Sequence, residues 1–231
     1  MNIVLRLICL LIGYGFGCIQ WAYLIGKHKG IDIRNYGSGN SGTTNAMRVM
    51  GKKTGYLVFF LDFGKGLICL LLVGALFGGK HPELVYLLKM WAFAGVVLGH
   101  DYPFYMKFRG GKGVAVMAGF VLSYHISLFI PAVLAFFVPF LLTHYVSLGS
   151  LCVYGLTFLA VVIEGAMGMY RTGVPALIEM DVIMGILTVM AFWRHRSNIG
   201  RLKSGTERKL YLTHSDKDSK SSTEAEKSAE K

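Results

Sequence analysis

The sequence predicts an all-α protein, a polytopic membrane helix bundle of about seven transmembrane spans with its N-terminus outside and its C-terminus in the cytoplasm. Three observations carry this. The 231 residues are 54% hydrophobic and only 16% charged, where soluble domains average about a quarter charged. Long apolar runs alternate with three polar clusters, 35–48, 99–113 and 194–207. The net charge is +11, yet the last seventeen residues carry four lysines against five acids, so the excess lies in loops and helix ends. Such charge marks cytoplasmic loops, contact with anionic lipid headgroups, or an anionic substrate. No basic, aromatic-bearing soluble domain is present, so nucleic acid is not an expected partner.

Residues 3–26 are apolar and end in Lys27-His-Lys29. They are too long for a signal-peptide core and lack a small-residue cleavage site, which reads as a retained helix. Gly13, Gly15 and Gly17 put small residues on several faces and permit close helix approach. A polar loop, 27–53, leads to a span over roughly 54–78. That span holds Asp62 and Lys65, three apart and on one helix face; a structural ion pair and a substrate contact both fit. A Gly78–Glu83 turn precedes a third span over about 84–99. Residues 114–143 are almost wholly apolar, long for one crossing and slightly short for two, and Pro131 is expected to break them. Two crossings there, with spans at 147–169 and 174–193, bring all three polar clusters to one side. One crossing puts the third cluster opposite the others. The loop that carries the first cluster, 27–53, and the third cluster are the most basic, and basic loops stay inside, so two short spans are chosen; a re-entrant pair has the same parity. Cys9, Cys18, Cys69 and Cys152 lie in apolar spans without metal-binding spacing and read as small buried hydrophobes. Residues 209–231 are polar and read as a disordered cytoplasmic tail.

The first cluster contains Gly37-Ser-Gly-Asn-Ser-Gly42, a literal Gly-x-Gly-x-x-Gly. A dinucleotide fingerprint needs a strand before it and a βαβ unit around it; membrane helices flank this one, so a nicotinamide site is rejected. Its glycines can still turn backbone N–H groups toward an anion, a helix starting near Thr43-Thr44 adds its dipole, and Arg48 offers a two-pronged fork for phosphate. A tight turn whose amides cap the next helix explains the same glycines. The second cluster ends in Arg109-Gly-Gly-Lys-Gly113 without P-loop spacing. It provides two adjacent glycines, Lys112 and a helix start, a phosphate nest. With Tyr102, Phe104, Tyr105 and Phe108 it equally makes an interfacial anchor, and both roles can coexist. In the third cluster His195 and Asn198 are three apart and would share a helical face. Histidine exchanges protons near neutral pH, asparagine can orient a hydroxyl, and Glu207 can pair with an arginine. A basic membrane anchor accounts for the arginines but not for His195 and Asn198. There is no Gly-x-Ser-x-Gly elbow, no His-x-x-x-x-Asp motif, no Asp-rich metal motif and no carboxylate pair for glycosidase chemistry.

Together the clusters resemble the PlsY family, the bacterial acyl-phosphate:glycerol-3-phosphate acyltransferases. The resemblance rests on 37–48, on Gly99-His-Asp-Tyr-Pro103 through Gly110-Gly-Lys-Gly-Val-Ala115, and on Arg194-His-Arg-Ser-Asn-Ile199, Arg201-Leu202 and Gly205-Thr-Glu207. Asp62-Phe-Gly-Lys-Gly66 also fits, and the likeness covers roughly 1–208 in order and spacing. Ser41, Thr43, Val116 and Gly200 depart from the usual residues; of these only Val116 costs a hydroxyl. The family implies a seven-helix bacterial plasma-membrane enzyme whose motifs face the cytoplasm, so 1–208 would be the acyltransferase domain. It would move an acyl group from acyl phosphate to the 1-hydroxyl of sn-glycerol 3-phosphate, giving lysophosphatidic acid and inorganic phosphate, the first step of membrane phospholipid biosynthesis. Membrane lipids would surround it, and an acyl-phosphate-producing enzyme would supply it. By position, Ser38, His195 and Asn198 become the catalytic candidates. Asn40, Thr44, Asn45, Arg48, Gly110, Gly111, Lys112, Gly113 and Arg201 become substrate-binding candidates, and Glu207 a structural one.

An acyl phosphate is a mixed anhydride with a good leaving group, so the expected chemistry calls for no metal, cofactor or covalent intermediate. Lys112, Arg48 and loop amides would hold the phosphates. A glycine amide or Asn198 would stabilise the oxyanion, worth about 3 kcal/mol. The proton would pass to His195 or to a substrate phosphate, whose second pKa is about 6. A ligand role for His195 is favoured over that of strict base, because no carboxylate adjoins it in sequence. Two other classes fit parts of the chain. A transporter for a phosphorylated solute explains the basic, glycine-rich breaks but calls for inverted repeats and a midplane site. A lipid-binding scaffold does not require the order of the motifs.

Overall fold

The computed structural model describes residues 3–211. Ten helices are present among the described residues: α1 Ile3–Cys18, α2 Trp21–His28, α3 Thr43–Met50, α4 Lys52–Phe77, α5 Val85–Asp101, α6 Val114–Tyr124, α7 Phe129–Thr143, α8 Val146–Ala166, α9 Val174–Arg194 and α10 Arg196–Lys203. Five helical stretches are long and apolar enough to cross a membrane: Ile3–His28, Lys52–Phe77, Ile126–Thr143, Val146–Ala166 and Val174–Arg194. α5, with 17 residues, and α6, with 11, are apolar but shorter. The fold is an all-α bundle that passes the membrane several times. The expected polar tail falls mostly at 212–231, outside the described residues.

Small residues set the closest helix contacts. α1 carries Gly13 and Gly17, and α5 carries Gly95 and Gly99, each pair four apart. A Cβ at Gly13 or Gly17 would collide with the carbonyl of Ala92 or Val96, and one at Gly95 or Gly99 with that of Leu10 or Tyr14. In lipid, where apolar contact alone does not favour association, such backbone-to-backbone packing holds helices together. Gly15, the third glycine of the run, faces open space. Gly66 and Gly119 make the corresponding seam between α4 and α6. Between these seams lies a stack of rings: Phe93 and Phe120 are 4.1 Å apart between centroids, and Phe120 and Tyr124 4.6 Å.

Two helix breaks differ from expectation. The first apolar run is not one helix: it breaks at Ile19-Gln20. Gln20 is fully buried, and its Nε2 donates to His100 O at 2.9 Å and Gly17 O at 3.1 Å. The freed carbonyls are taken by Lys65, whose Nζ is 2.7 Å from Ile19 O and 3.1 Å from Gly17 O. Lys65 also pairs with Asp62 at 2.9 Å and meets His100 Nδ1 at 2.8 Å. The Asp62–Lys65 pair is thus a buried tie between α1, α4 and α5. The second break falls at His125, not at Pro131. Pro131 occupies the first turn of α7, where an amide has no intrahelical acceptor and proline costs little. At the break, Ser127 Oγ lies 2.5 Å from His125 Nδ1 and 2.5 Å from Glu164 Oε1, a polar closure that needs residues from α8.

Candidate active site

One cavity of about 570 Å³ opens at one end of the bundle, lined by residues of all three polar clusters. α3, α4, α6 and α8 begin near it, and α5 and α9 end near it. Of the sequence candidates, Ser38, Asn40, Thr44, Asn45, Arg48, Gly110, Lys112, Gly113, His195, Asn198, Arg201 and Glu207 line it. Gly111 does not; it packs behind the wall, where a Cβ would collide with the ring of His100.

The first cluster folds around Asn45. Its Oδ1 accepts from Ser38 N at 2.9 Å, and its Nδ2 donates to Tyr36 O at 3.0 Å and Ile33 O at 3.3 Å. Asn45 is 1% exposed, so its amide is engaged in holding the loop. Gly37 has φ +62°, and a Cβ there would run into the Asn45 side chain, which explains a glycine at the turn. The loop hands over to α3 at Gly42, and Gly42, Thr43 and Thr44 face the cavity. Thr43 Oγ1 is buried with no hydrogen-bond partner among the described residues, a cavity group that sequence reading passed over.

In the second cluster the expected nest moves by two residues. Gly110 N donates to Asp101 O at 3.0 Å and Gly111 N to His100 O at 2.9 Å, so these two amides are not available to an anion. The loop instead presents Lys112 and the first turn of α6, with Gly113, Val114 and Ala115 at the cavity wall. The first amides of a helix lack intrahelical acceptors and carry its positive dipole end. Gly113, at φ +71°, is the turn that starts α6. Two helix N-termini, those of α3 and α6, therefore meet one cavity.

In the third cluster His195 and Asn198 both line the cavity. His195 is the hinge between α9 and α10. Its Nδ1 lies 2.8 Å from Ala191 O. A carbonyl can only accept, so Nδ1 carries the proton and Nε2 keeps a free lone pair. Burial, together with the charge of Lys112, pushes the His195 pKa down to about 4, leaving a neutral ring. The group that orients His195 is thus a main-chain carbonyl, which the search for a carboxylate in the sequence did not find. Asn198 accepts from Lys112 Nζ and donates to Glu207 Oε1 at 2.7 Å. Glu207 also receives Ser147 at 3.0 Å and Arg201 at 2.7 Å, tying α8, α10 and the C-terminal segment together. Burial works against its ionisation, but those hydrogen bonds outweigh it and hold Glu207 below the usual carboxylate range.

The balance of charge is one-sided. Arg48, Arg109, Lys112, Arg194, Arg201 and Arg208 line the cavity against Asp62 and Glu207, and those two acids are already paired with Lys65 and Arg201. Arg48 has no hydrogen-bond partner among the described residues. Burial, with repulsion from Arg194 and Arg201, brings Lys112 down to about 8. Phe59, Phe136 and Val146 close part of the wall, so a positively charged chamber adjoins apolar helix faces.

A family model described as glycerol-3-phosphate acyltransferase matches residues 7–205. The glycerol-3-phosphate acyltransferase of Shouchella clausii is 41% identical over 216 residues, covering 92% of this chain and 99% of that one. That of Aquifex aeolicus is 39% identical over 206 residues, covering 88% and 98%. The crystal structure of PlsY (YgiH), an integral membrane glycerol 3-phosphate acyltransferase, in its glycerol 3-phosphate form superposes with a TM-score of 0.76 at 35% identity, covering 89% of this chain and 96% of that one. Its lysophosphatidic acid form gives 0.73 at 34% identity, covering 89% and 95%. The order of the three clusters, their meeting in one cavity and these likenesses agree: the chain belongs to the glycerol-3-phosphate acyltransferase family.

Proposed function

We propose that the cavity transfers a fatty acyl group from acyl phosphate to the 1-hydroxyl of sn-glycerol 3-phosphate, releasing lysophosphatidic acid and inorganic phosphate. The observation that carries this reading is the uncompensated positive lining beside a neutral imidazole: two helix N-termini, Arg48 and Lys112 face a chamber that also holds the free Nε2 of His195. Two anion-binding helix starts suit two phosphorylated substrates. Phe59, Phe136 and Val146 suit an acyl chain entering from the bilayer side.

In the reaction the glycerol hydroxyl oxygen attacks the acyl carbonyl carbon, and the carbon–oxygen bond to phosphate breaks. His195 Nε2 accepts a hydrogen bond from the attacking hydroxyl and aims it. A base with a pKa of about 4 is poorly matched to hold that proton near neutrality, so the proton goes to the departing phosphate, whose second pKa is about 6. Lys112, Arg48 and Arg201 neutralise the phosphates, and Ser38, Asn40 and Thr44 add hydrogen bonds. Asn198, held between Lys112 and Glu207, keeps the lysine aimed at the cavity. Gly113 and the first turn of α6 supply amides to the developing oxyanion or to a phosphate. Glu207 is structural.

The protein spans a bacterial inner membrane seven times, through α1–α2, α4, α5, α6, α7, α8 and α9. Its N-terminus is outside, its C-terminus and cavity face the cytoplasm, and 1–208 form the catalytic domain. The alternation of helix starts and ends at the cavity supports this topology, and an acyl-phosphate-producing enzyme would supply the donor. The test is to incubate purified, detergent-solubilised protein with glycerol 3-phosphate and either palmitoyl phosphate or palmitoyl-CoA. Lysophosphatidic acid from the acyl phosphate alone is expected; product from neither donor with folded protein would remove the reading.

A further inference from the structure

One guanidinium at the cavity holds protein rather than open space. Arg194, the last residue of α9, places Nη2 3.0 Å from Gly110 O and 2.6 Å from Gly111 O. Its Nε stands 3.8 Å from Asp101 Oδ2, and its Cζ lies 5.2 Å from the centroid of the Tyr102 ring. The amides of the same two glycines donate to Asp101 O and His100 O. Gly110 and Gly111 are therefore tied through both their N–H and their carbonyl groups.

The floor beneath them is thinly bonded. Asp101 is 1% exposed, and neither of its carboxylate oxygens has a hydrogen-bond partner among the described residues. The same is true of the hydroxyl of Tyr154, which is fully buried. Gly113 rests on both: a Cβ there would stand 2.5 Å from the Tyr154 hydroxyl and 3.6 Å from Asp101 Oδ1. Nothing in that floor hydrogen-bonds the outward carbonyls of Gly110 and Gly111; the bond to them comes from α9.

We infer that Arg194 is a positioning residue: by clamping the Gly110 and Gly111 carbonyls, with Asp101 as its counter-charge, it fixes the loop so that Lys112 and the first amides of α6 face a substrate phosphate. A planar guanidinium can reach two adjacent carbonyls and a carboxylate at once, which a lysine ammonium on its flexible stem does less well. Arg196, two residues on, makes a useful contrast. It is exposed, lies over the Trp193 ring and donates to Trp193 O at 3.2 Å.

The test uses the full chain in detergent and has two arms. The first reads the rise in unfolding temperature caused by inorganic phosphate, which needs no turnover. The second, which rests on the proposed acyl transfer, reads KM and kcat for glycerol 3-phosphate and palmitoyl phosphate. Arg194→Ala is expected to lose most of the phosphate-induced rise and to raise KM for at least one phosphorylated substrate by about tenfold, a loss of about 1.4 kcal/mol in binding. Added guanidinium should restore part of both, because the vacated site opens on the cavity, while Arg196→Ala should behave as the parent. A folded Arg194→Ala with the parent's phosphate response and KM values would overturn the inference. So would a loss confined to kcat and stability that guanidinium does not relieve. If the alanine variant does not fold, Arg194→Lys is read the same way, with an intermediate KM expected and an unchanged KM overturning the clamp. A parent that binds phosphate but makes no lysophosphatidic acid would remove the proposed reaction, while the clamp would still be decided by the phosphate arm.

Discussion

Polar groups are bonded differently at the two ends of the bundle. Away from the cavity, Glu179 takes Arg6 Nε at 2.5 Å, Arg6 Nη2 at 2.8 Å and Trp91 Nε1 at 2.7 Å. Glu164 takes Ser127 at 2.5 Å and Tyr170 at 2.8 Å. Both oxygens of each carboxylate have donors. At the cavity the six basic groups outnumber two acids that are already paired. Buried polar groups are normally satisfied, and ionisable groups within a membrane are expensive to place. Where the protein satisfies them itself they are architecture. Where one sign is left in surplus, a ligand of the other sign completes the set.

The sharpest way to break this contrast is to remove the surplus. Lys112→Met keeps most of the stem and deletes the charge, and should cost about 10²–10³-fold in kcat/KM with glycerol 3-phosphate and palmitoyl phosphate, the usual loss for a group that stabilises transition-state charge. The folded fraction and unfolding temperature should stay close to the parent's, because the ammonium bonds only Asn198 among the described residues. Retention of more than about a tenth of the activity would mean that the lysine belongs to the architecture.

The opposite end should respond in the opposite way. Arg6→Met strands Glu179 among apolar helices, and removing one partner of a buried ion pair costs about 3 kcal/mol of stability. Thermal unfolding in detergent should show that loss, while kcat/KM per folded molecule stays at the parent value. Adding Glu179→Gln should recover much of the stability, since it removes the stranded charge. A fall in activity without a fall in stability would place Arg6 in communication with the cavity and erase the contrast.

Acidity offers a third test, confined to the cavity end. Lys112 has a pKa of about 8, lowered by burial and by its arginine neighbours. Its charged form is the one that attracts phosphate, so kcat/KM should hold below pH 8 and fall by up to tenfold per unit above it. Bound phosphate favours the charged lysine, so the limb should move to higher pH in kcat. Lys112→Arg, which stays charged, should lose the limb whatever its absolute rate. A limb unmoved by that change would come from another group.

Much of this was legible in the sequence. Apolar run lengths located α4, α5, α8 and α9 to within a few residues, and the parity of crossings brought the three clusters together before any coordinate did. What was not legible depends on atoms far away in the chain. The break at Gln20 is completed by His100 O and by Lys65, and the break at His125 by Glu164; local pattern offered only Pro131, which a helix start tolerates. The glycines 110 and 111 look like a nest in sequence, but their amides fold back on α5. Asn45 looked like a substrate ligand, but its amide builds the loop that carries the others. Composition shows which polar groups exist; only the packed chain decides which of them already have partners.

His195 separates a base from a ligand, and its replacement by glutamine should have the smallest effect of the four. Its Nδ1 proton is committed to Ala191 O, so only Nε2 meets substrate, as an acceptor. Glutamine has a similar reach and an acceptor oxygen, but it cannot take up a proton near neutrality. If His195 aims the hydroxyl while the leaving phosphate takes the proton, His195→Gln should lose about tenfold or less in kcat. His195→Ala, without an acceptor, should lose about 10²-fold. Neither variant should add or remove a limb between pH 6 and 8, because a group with a pKa of about 4 is already neutral there. Loss of activity in His195→Gln as deep as in His195→Ala would mean that the imidazole must carry the proton, and the acid–base role would pass from the substrate's own phosphate to the protein.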